Sequence, residues 1–155
     1  MYNITSTNEK ETFSFHDCFI LEAEYKDNDI DILLSHVDVL ETNSKNHTDC
    51  AKQTDKAIMK IYDFRINKVY EQLPLSNEDR KHNKKSNKIV LSLNKYEIKD
   101  VLNNSIIMYC GFEDDNAIIL EILQGKRLIV FEAMCTSFDV KWNEFVKDSW
   151  FVNFK

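Results

Sequence analysis

The chain has 155 residues, a formal net charge of −6, 43% hydrophobic residues and 30% charged residues. That is one domain's length, and ten Phe, six Tyr and two Trp suffice for a core without disulfide staples. The acidic balance argues against a free-standing nucleic-acid binder, which carries a basic surplus, and suits a basic protein partner, since complementary fields speed encounter.

Residues 1–11 are polar and aperiodic and read as a frayed start, leaving 12–155 as one β-rich domain. Phe13 to Tyr25 interleaves apolar with polar residues and predicts a strand. Lys26-Asp27-Asn28-Asp29 is turn chemistry, and Ile30 to Leu40 predicts the return strand of a long hairpin. Residues 41–55 read as loop, 56–66 as a third strand, and 76–88 as an exposed loop with five Lys/Arg between Arg80 and Lys88. No aromatic residue interleaves those charges, so the loop lacks a stacking platform for bases.

Lys88 to Leu93 predicts a fourth strand, and Asn94 to Asn104 a short helix with Tyr96, Ile98, Val101 and Leu102 on one stripe. Three strands follow by tight links: Ser105 to Phe112, Asn116 to Leu123 and Arg127 to Met134. Gly125, one of only two glycines, is expected at positive φ. Ser137 to Lys141 reads as another strand. Trp142, Phe145, Val146 and Trp150 have helical spacing and predict a short amphipathic helix whose aromatics pack into the core. With strands joined by short links and no long helix between them, a βαβ sheet is excluded. The expected fold is mainly β: an antiparallel sandwich or strongly curved sheet of about seven or eight strands, with one or two short helices, one of them near the C-terminus.

The stretch Phe13-Ser14-Phe15-His16-Asp17-Cys18 places an imidazole and a carboxylate inside a predicted strand. A hairpin turning at Asp27-Asn28 pairs Tyr25 with Ile30, Ala23 with Ile32 and Leu21 with Leu34, all on one apolar face. The same register sets Phe19 opposite His36 and Asp17 opposite Asp38, with His16 on the other face. Two opposed carboxylates on one face repel, and when buried they need a proton, a cation or several donors. Three roles follow for Asp17, His36 and Asp38, with His16 nearby. They form a structural network, bind a partner, or serve a metal or a general base, since carboxylate and imidazole suit Mn, Zn or Fe.

The four cysteines, Cys18, Cys50, Cys110 and Cys135, form no metal-ligand spacing; Cys18, Cys110 and Cys135, in or beside predicted strands, read as small buried hydrophobes. His47 and His82 fall in polar loops. No nucleophile elbow, P-loop, dinucleotide fingerprint or zinc-protease motif is present, and no cofactor is implied. The N-terminus lacks the apolar stretch of a signal peptide, and no apolar run approaches the roughly 18 residues of a membrane span. The expected compartment is the cytoplasm, with reduced thiols.

Phe15-His16-Asp17 at the start of a long first hairpin, with Trp142 and Trp150 near the C-terminus, resembles small uncharacterised bacterial domains. Some of these are grouped with immunity proteins of polymorphic toxin systems. The resemblance implies an acidic, cytoplasmic, β-rich protein that acts by binding another protein, and it carries no catalytic residues. The leading expectation is therefore a non-enzymatic interaction domain. The alternatives are a metal-binding or hydrolytic domain using Asp17, His36 and Asp38, and an oligomeric structural subunit joined through a sheet edge.

Overall fold

The computed structural model describes residues 1–154. Its first half holds β1 (Ile4–Thr7), β2 (Phe13–Ser14), β3 (Ile20–Lys26), β4 (Asp29–Leu34), β5 (Asp38–Val39), β6 (Lys52–Thr54), β7 (Ala57–Tyr62) and β8 (Arg65–Leu73). The second half holds α1 (Asn77–Lys81), β9 (Asn87–Leu91), α2 (Lys95–Leu102), β10 (Ile106–Phe112), β11 (Ala117–Gln124), β12 (Arg127–Met134), β13 (Ser137–Trp142) and β14 (Phe145–Asp148). Short 3₁₀ turns cover Asp114–Asn116 and Trp150–Asn153. The strands form three antiparallel sheets, ordered β1-β13-β7-β4-β3, β10-β11-β12-β8-β9 and β14-β6-β5-β2. The mainly β, antiparallel architecture is the one the sequence predicts, with more and shorter strands than expected. No helix among the described residues is long and apolar enough to cross a membrane.

Side-chain alternation builds the two large sheets. In the first, Ala23, Ile32, Met59, Val140 and Ser6 line up across five strands, and all are buried. The next row, Glu24, Asp31, Lys60, Asp139 and Thr7, faces the other way. There Asp139 accepts hydrogen bonds from the Thr7 and Tyr62 hydroxyls, both at 2.7 Å. In the second sheet Leu91, Val69, Phe131, Leu120 and Cys110 form the equivalent inward row. Both inward faces feed one core cluster.

Between β7 and β8 the chain passes from the first sheet to the second. It turns at Asp63, whose φ is +51°, and the neighbouring crossing from β12 to β13 is tied there by Thr136 N donating to Tyr62 O at 3.0 Å. Helix α2 packs on β3 through buried Ile98 and Leu102. Asn94 and Glu97 cap it reciprocally, satisfying N-terminal amides that have no partner within the helix.

A short ladder joins the two large sheets directly. Asp17 N donates to Ile107 O at 2.9 Å, Ile107 N to Cys18 O at 2.9 Å, Ile20 N to Ser105 O at 2.8 Å and Asn104 N to Ile20 O at 3.0 Å. It stops at Asp17, whose φ of +65° bends the chain away from β10. Asp tolerates this left-handed conformation better than most L-residues. The strand predicted over Phe13–Tyr25 is thus two strands with a corner between them.

The predicted hairpin register holds from Lys26↔Asp29 to Glu22↔Leu33 and then fails. A bulge between Ile20 and Glu22 puts Ile20, not Leu21, opposite Leu34 and leaves Leu21 exposed. One extra residue on one strand shifts everything beyond it. Phe19 consequently meets Ser35, with Ser35 N donating to Phe19 O at 2.9 Å, and Asp38 meets Ser14 and Gln53. The opposed Asp17–Asp38 pair does not form.

Other expectations are corrected locally. Residues 1–11 are not frayed: β1 pairs with β13, and its inward position is a serine, Ser6, bonded to Asn43 at 3.0 Å, which hides the alternation. Part of 41–55 is strand β6. Part of 76–88 is helix α1, closed by a Ser76/Asp79 capping box. The helix predicted over the C-terminal aromatics, ending near Asp148, is replaced by the end of β13, β14 and a 3₁₀ turn. Trp142 is fully buried and Trp150 is 50% exposed, so the aromatic spacing runs over two strands and a 3₁₀ turn rather than along one helical stripe.

These assignments predict unequal mutational costs. Asp17→Val should destabilise by about 1–2 kcal/mol, because a β-branched residue suffers most at positive φ, whereas Asp17→Gly should be nearly neutral; thermal melts compare the two. Trp142→Ala should cost about 3–5 kcal/mol and Trp150→Ala less than about 1 kcal/mol. Equal losses for the two tryptophans in denaturant unfolding would refute the placement of the C-terminal segment.

Candidate functional site

The corner at Asp17 opens a concavity beside β10. β10 is paired with β11 along its length, but on its other side the ladder ends at Ile107. The segment that would have continued beside it, residues 9–15, swings out to pair with β5 instead. Between them lies a cleft of about 540 Å³, within the usual size range of ligand pockets. His16 spans one end: its Nδ1 lies 2.8 Å from Met108 O, and since a carbonyl only accepts, the imidazole N–H donates. Lys10 spans the other end, donating from Nζ to Glu113 O at 2.9 Å.

The floor of the cleft is aromatic. Phe112 stacks on Phe138 with ring centroids 3.7 Å apart, Phe15 lies 6.5 Å from Phe112, and Phe13 lies 5.7 Å from Phe15. Phe13 in turn meets Trp142 edge-on at 6.3 Å. The rim is acidic: Glu9, Glu11, Glu113 and Asp114 line it against one cation, Lys10. Burial alone would raise Glu9, but the Ser44 hydroxyl and amide donate to its carboxylate and hold it below its ordinary pKa. It is therefore charged at neutral pH.

Tyr109 and Gly111 shape the wall. A β-carbon on Gly111 would sit 2.2 Å from the Tyr109 hydroxyl, so the missing side chain is what lets the phenol ring lie along the strand. The hydroxyl donates to Glu113 Oε1 at 3.2 Å. Burial first, and that hydrogen bond second, push the Tyr109 phenol above its ordinary value. Burial also raises the Cys110 thiol well above its ordinary value, which makes it a poor nucleophile.

The residues singled out in the sequence are only partly gathered. His16 and Asp17 sit together at the corner, His16 Nε2 lying 3.5 Å from Asp17 Oδ1, both exposed. Asp38 is fully buried. Its Oδ1 accepts from Ser149 Oγ at 2.6 Å, and its Oδ2 has no partner. His36 is half-buried beside it, with Nδ1 at 2.9 Å from Ser35 Oγ. No hydrogen bond or ion pair links Asp17, His36 and Asp38. The described residues contain no group of three His, Cys, Asp or Glu side chains placed to hold a metal ion. Burial is the leading cause at both inner groups, raising Asp38 and lowering His36 from their ordinary values, so each is driven toward its neutral form.

The cleft itself was not anticipated from the sequence. Its signal was present in Phe13, Phe15 and the adjacent acids Glu113-Asp114, but nothing local says that the segments 9–15 and 109–114 face each other.

Asp38 gives a pH prediction with a definite sign. A carboxyl whose folded pKa lies above its unfolded value of about 3.9 destabilises the fold increasingly as pH rises from the unfolded to the folded pKa. Asp38→Asn, which keeps an acceptor for Ser149, should raise the melting temperature at pH 7, with the gain vanishing toward pH 4. A gain independent of pH in calorimetric scans would refute the buried-charge account. No protein-family model matches the chain, and neither a curated protein nor a solved structure is similar to it.

Proposed function

We propose that the protein is a non-enzymatic interaction domain that receives a basic segment of another protein in the cleft between β10 and residues 9–15. The observation that carries this reading is the pairing of an aromatic floor with four rim carboxylates against a single lysine. Aromatic faces and carboxylates both attract lysine and arginine heads. An apolar floor with a few convergent polar groups is the general form of a recognition site. The net charge of −6 adds long-range attraction for a cationic partner. Binding another protein is also what the resemblance to small bacterial domains, some of them grouped with immunity proteins, implies.

The test is an NMR titration of ¹⁵N-labelled protein with a blocked five-residue peptide of alternating valine and lysine, against its valine–glutamate counterpart. The lysine peptide should shift the amides from Tyr109 to Asp114, and added salt should weaken it by screening. The double variant Glu11→Gln/Asp114→Asn removes two exposed rim charges, and it should weaken the lysine peptide about tenfold, equivalent to roughly 1.4 kcal/mol. No shifts at millimolar peptide, or equal binding of the glutamate peptide, would refute the proposal.

A further inference from the structure

The free edge of β10 carries an inference about how the cleft holds its ligand, and it rests on the cleft being the binding site. In an antiparallel pair, successive residues direct their backbone groups alternately toward and away from the partner strand. The register of β10 on β11 pairs Tyr109 with Glu121, Cys110 with Leu120, Gly111 with Ile119 and Phe112 with Ile118. Continuing it, Glu113 N donates to Ala117 O at 2.8 Å, which fixes Glu113, Gly111 and Tyr109 as the residues bonded to β11. Cys110 and Phe112 therefore aim their N–H and C=O at the cleft. Among the described residues no backbone or side-chain group bonds them there. Four backbone groups two residues apart, on a wall over an aromatic floor, match the spacing of an incoming strand.

We infer that the cleft captures its basic partner segment as an added antiparallel β-strand, hydrogen-bonded to Cys110 and Phe112. This strand extends the line of residues 17–20, which pair antiparallel with the same edge of β10 one step earlier. Ligand residues opposite Cys110 and Phe112 then point the same way as those side chains, onto Phe13, Phe15 and Phe138. The intervening residues point outward, to Tyr109 and the carboxylate of Glu113. The fitting segment alternates apolar and basic residues. Backbone bonds supply a share of affinity that does not depend on sequence, and the alternating side chains supply the choice of partner.

Two N-methylated forms of the valine–lysine peptide test this, one methylated on its valines and one on its lysines, in the same NMR titration. Methylating the valine amides removes the donors that face β10 and should weaken binding about tenfold or more. Methylating the lysine amides should change it little. In parallel, amide exchange at Cys110 and Phe112 should slow on binding of the unmethylated peptide, while Tyr109 and Gly111, already bonded to β11, should not change. Equal effects of the two methylation patterns, or loss from the lysine pattern instead, would overturn the added strand. If Glu11→Gln/Asp114→Asn still weakened the parent peptide, the cleft reading would survive that result. Failure of the parent peptide to bind overturns both.

Discussion

The ladder between residues 17–20 and 104–107 sets the geometry on which the rest depends. It is short, and it is the place where two five-stranded sheets become continuous through backbone hydrogen bonds. On one side of it the sheets close over a shared apolar core; on the other, one left-handed residue, Asp17, sends the chain out of plane. Were the ladder to continue past Asp17, residues 13–16 would cover β10 and there would be no cleft. An exposed strand edge is normally a hazard that proteins shorten, charge or cover. Here the open stretch is brief and fringed by carboxylates, which discourages pairing with like copies of this acidic chain.

The floor of the cleft belongs to the core as well. Trp142, Phe13, Phe15, Phe112 and Phe138 form a chain of touching rings from β13 at one end back to β13 at the other. Each ring is held by residues that stabilise the fold, so the surface offered to a ligand is fixed by packing at interior density. The rim obeys different rules. Glu11 and Asp114 are exposed and make no side-chain bonds, so they add charge without rigidity, and changing them leaves the frame intact.

Much of the architecture was legible because alternation and turn chemistry agree. β10 to β12, helix α2, and the positive φ of Gly125, +61°, follow from local pattern. What escaped was decided by tertiary contacts. The bulge at Leu21 leaves no trace in an apolar run where Ile20 and Leu21 are equally hydrophobic, yet it moves Asp38 away from Asp17 and into a buried pair with Ser149. β1 escaped because its buried position is Ser6, satisfied by Asn43 from a loop 37 residues away. The C-terminal aromatics mislead because one helix, or two short strands followed by a 3₁₀ turn, can carry the same spacing. His16 and Asp17 stand out in the sequence as polar groups inside a strand pattern. Their place in the fold is a corner and a clasp, not a paired-carboxylate centre.

Among the described residues, nine other than glycine adopt positive φ, including Asn8, Glu11, Asp17, Asp115 and Asn116, and these five bracket the two walls of the cleft. Glycine at such positions would be free of strain but would leave each wall able to swing. A side chain removes alternative backbone states, both in the unfolded chain and in any locally opened one. The cleft is thus framed by stiff corners, and a ligand entering it meets walls already in place. Little ordering entropy remains to be lost by the protein on association, so the cost of immobilisation falls mainly on the incoming segment.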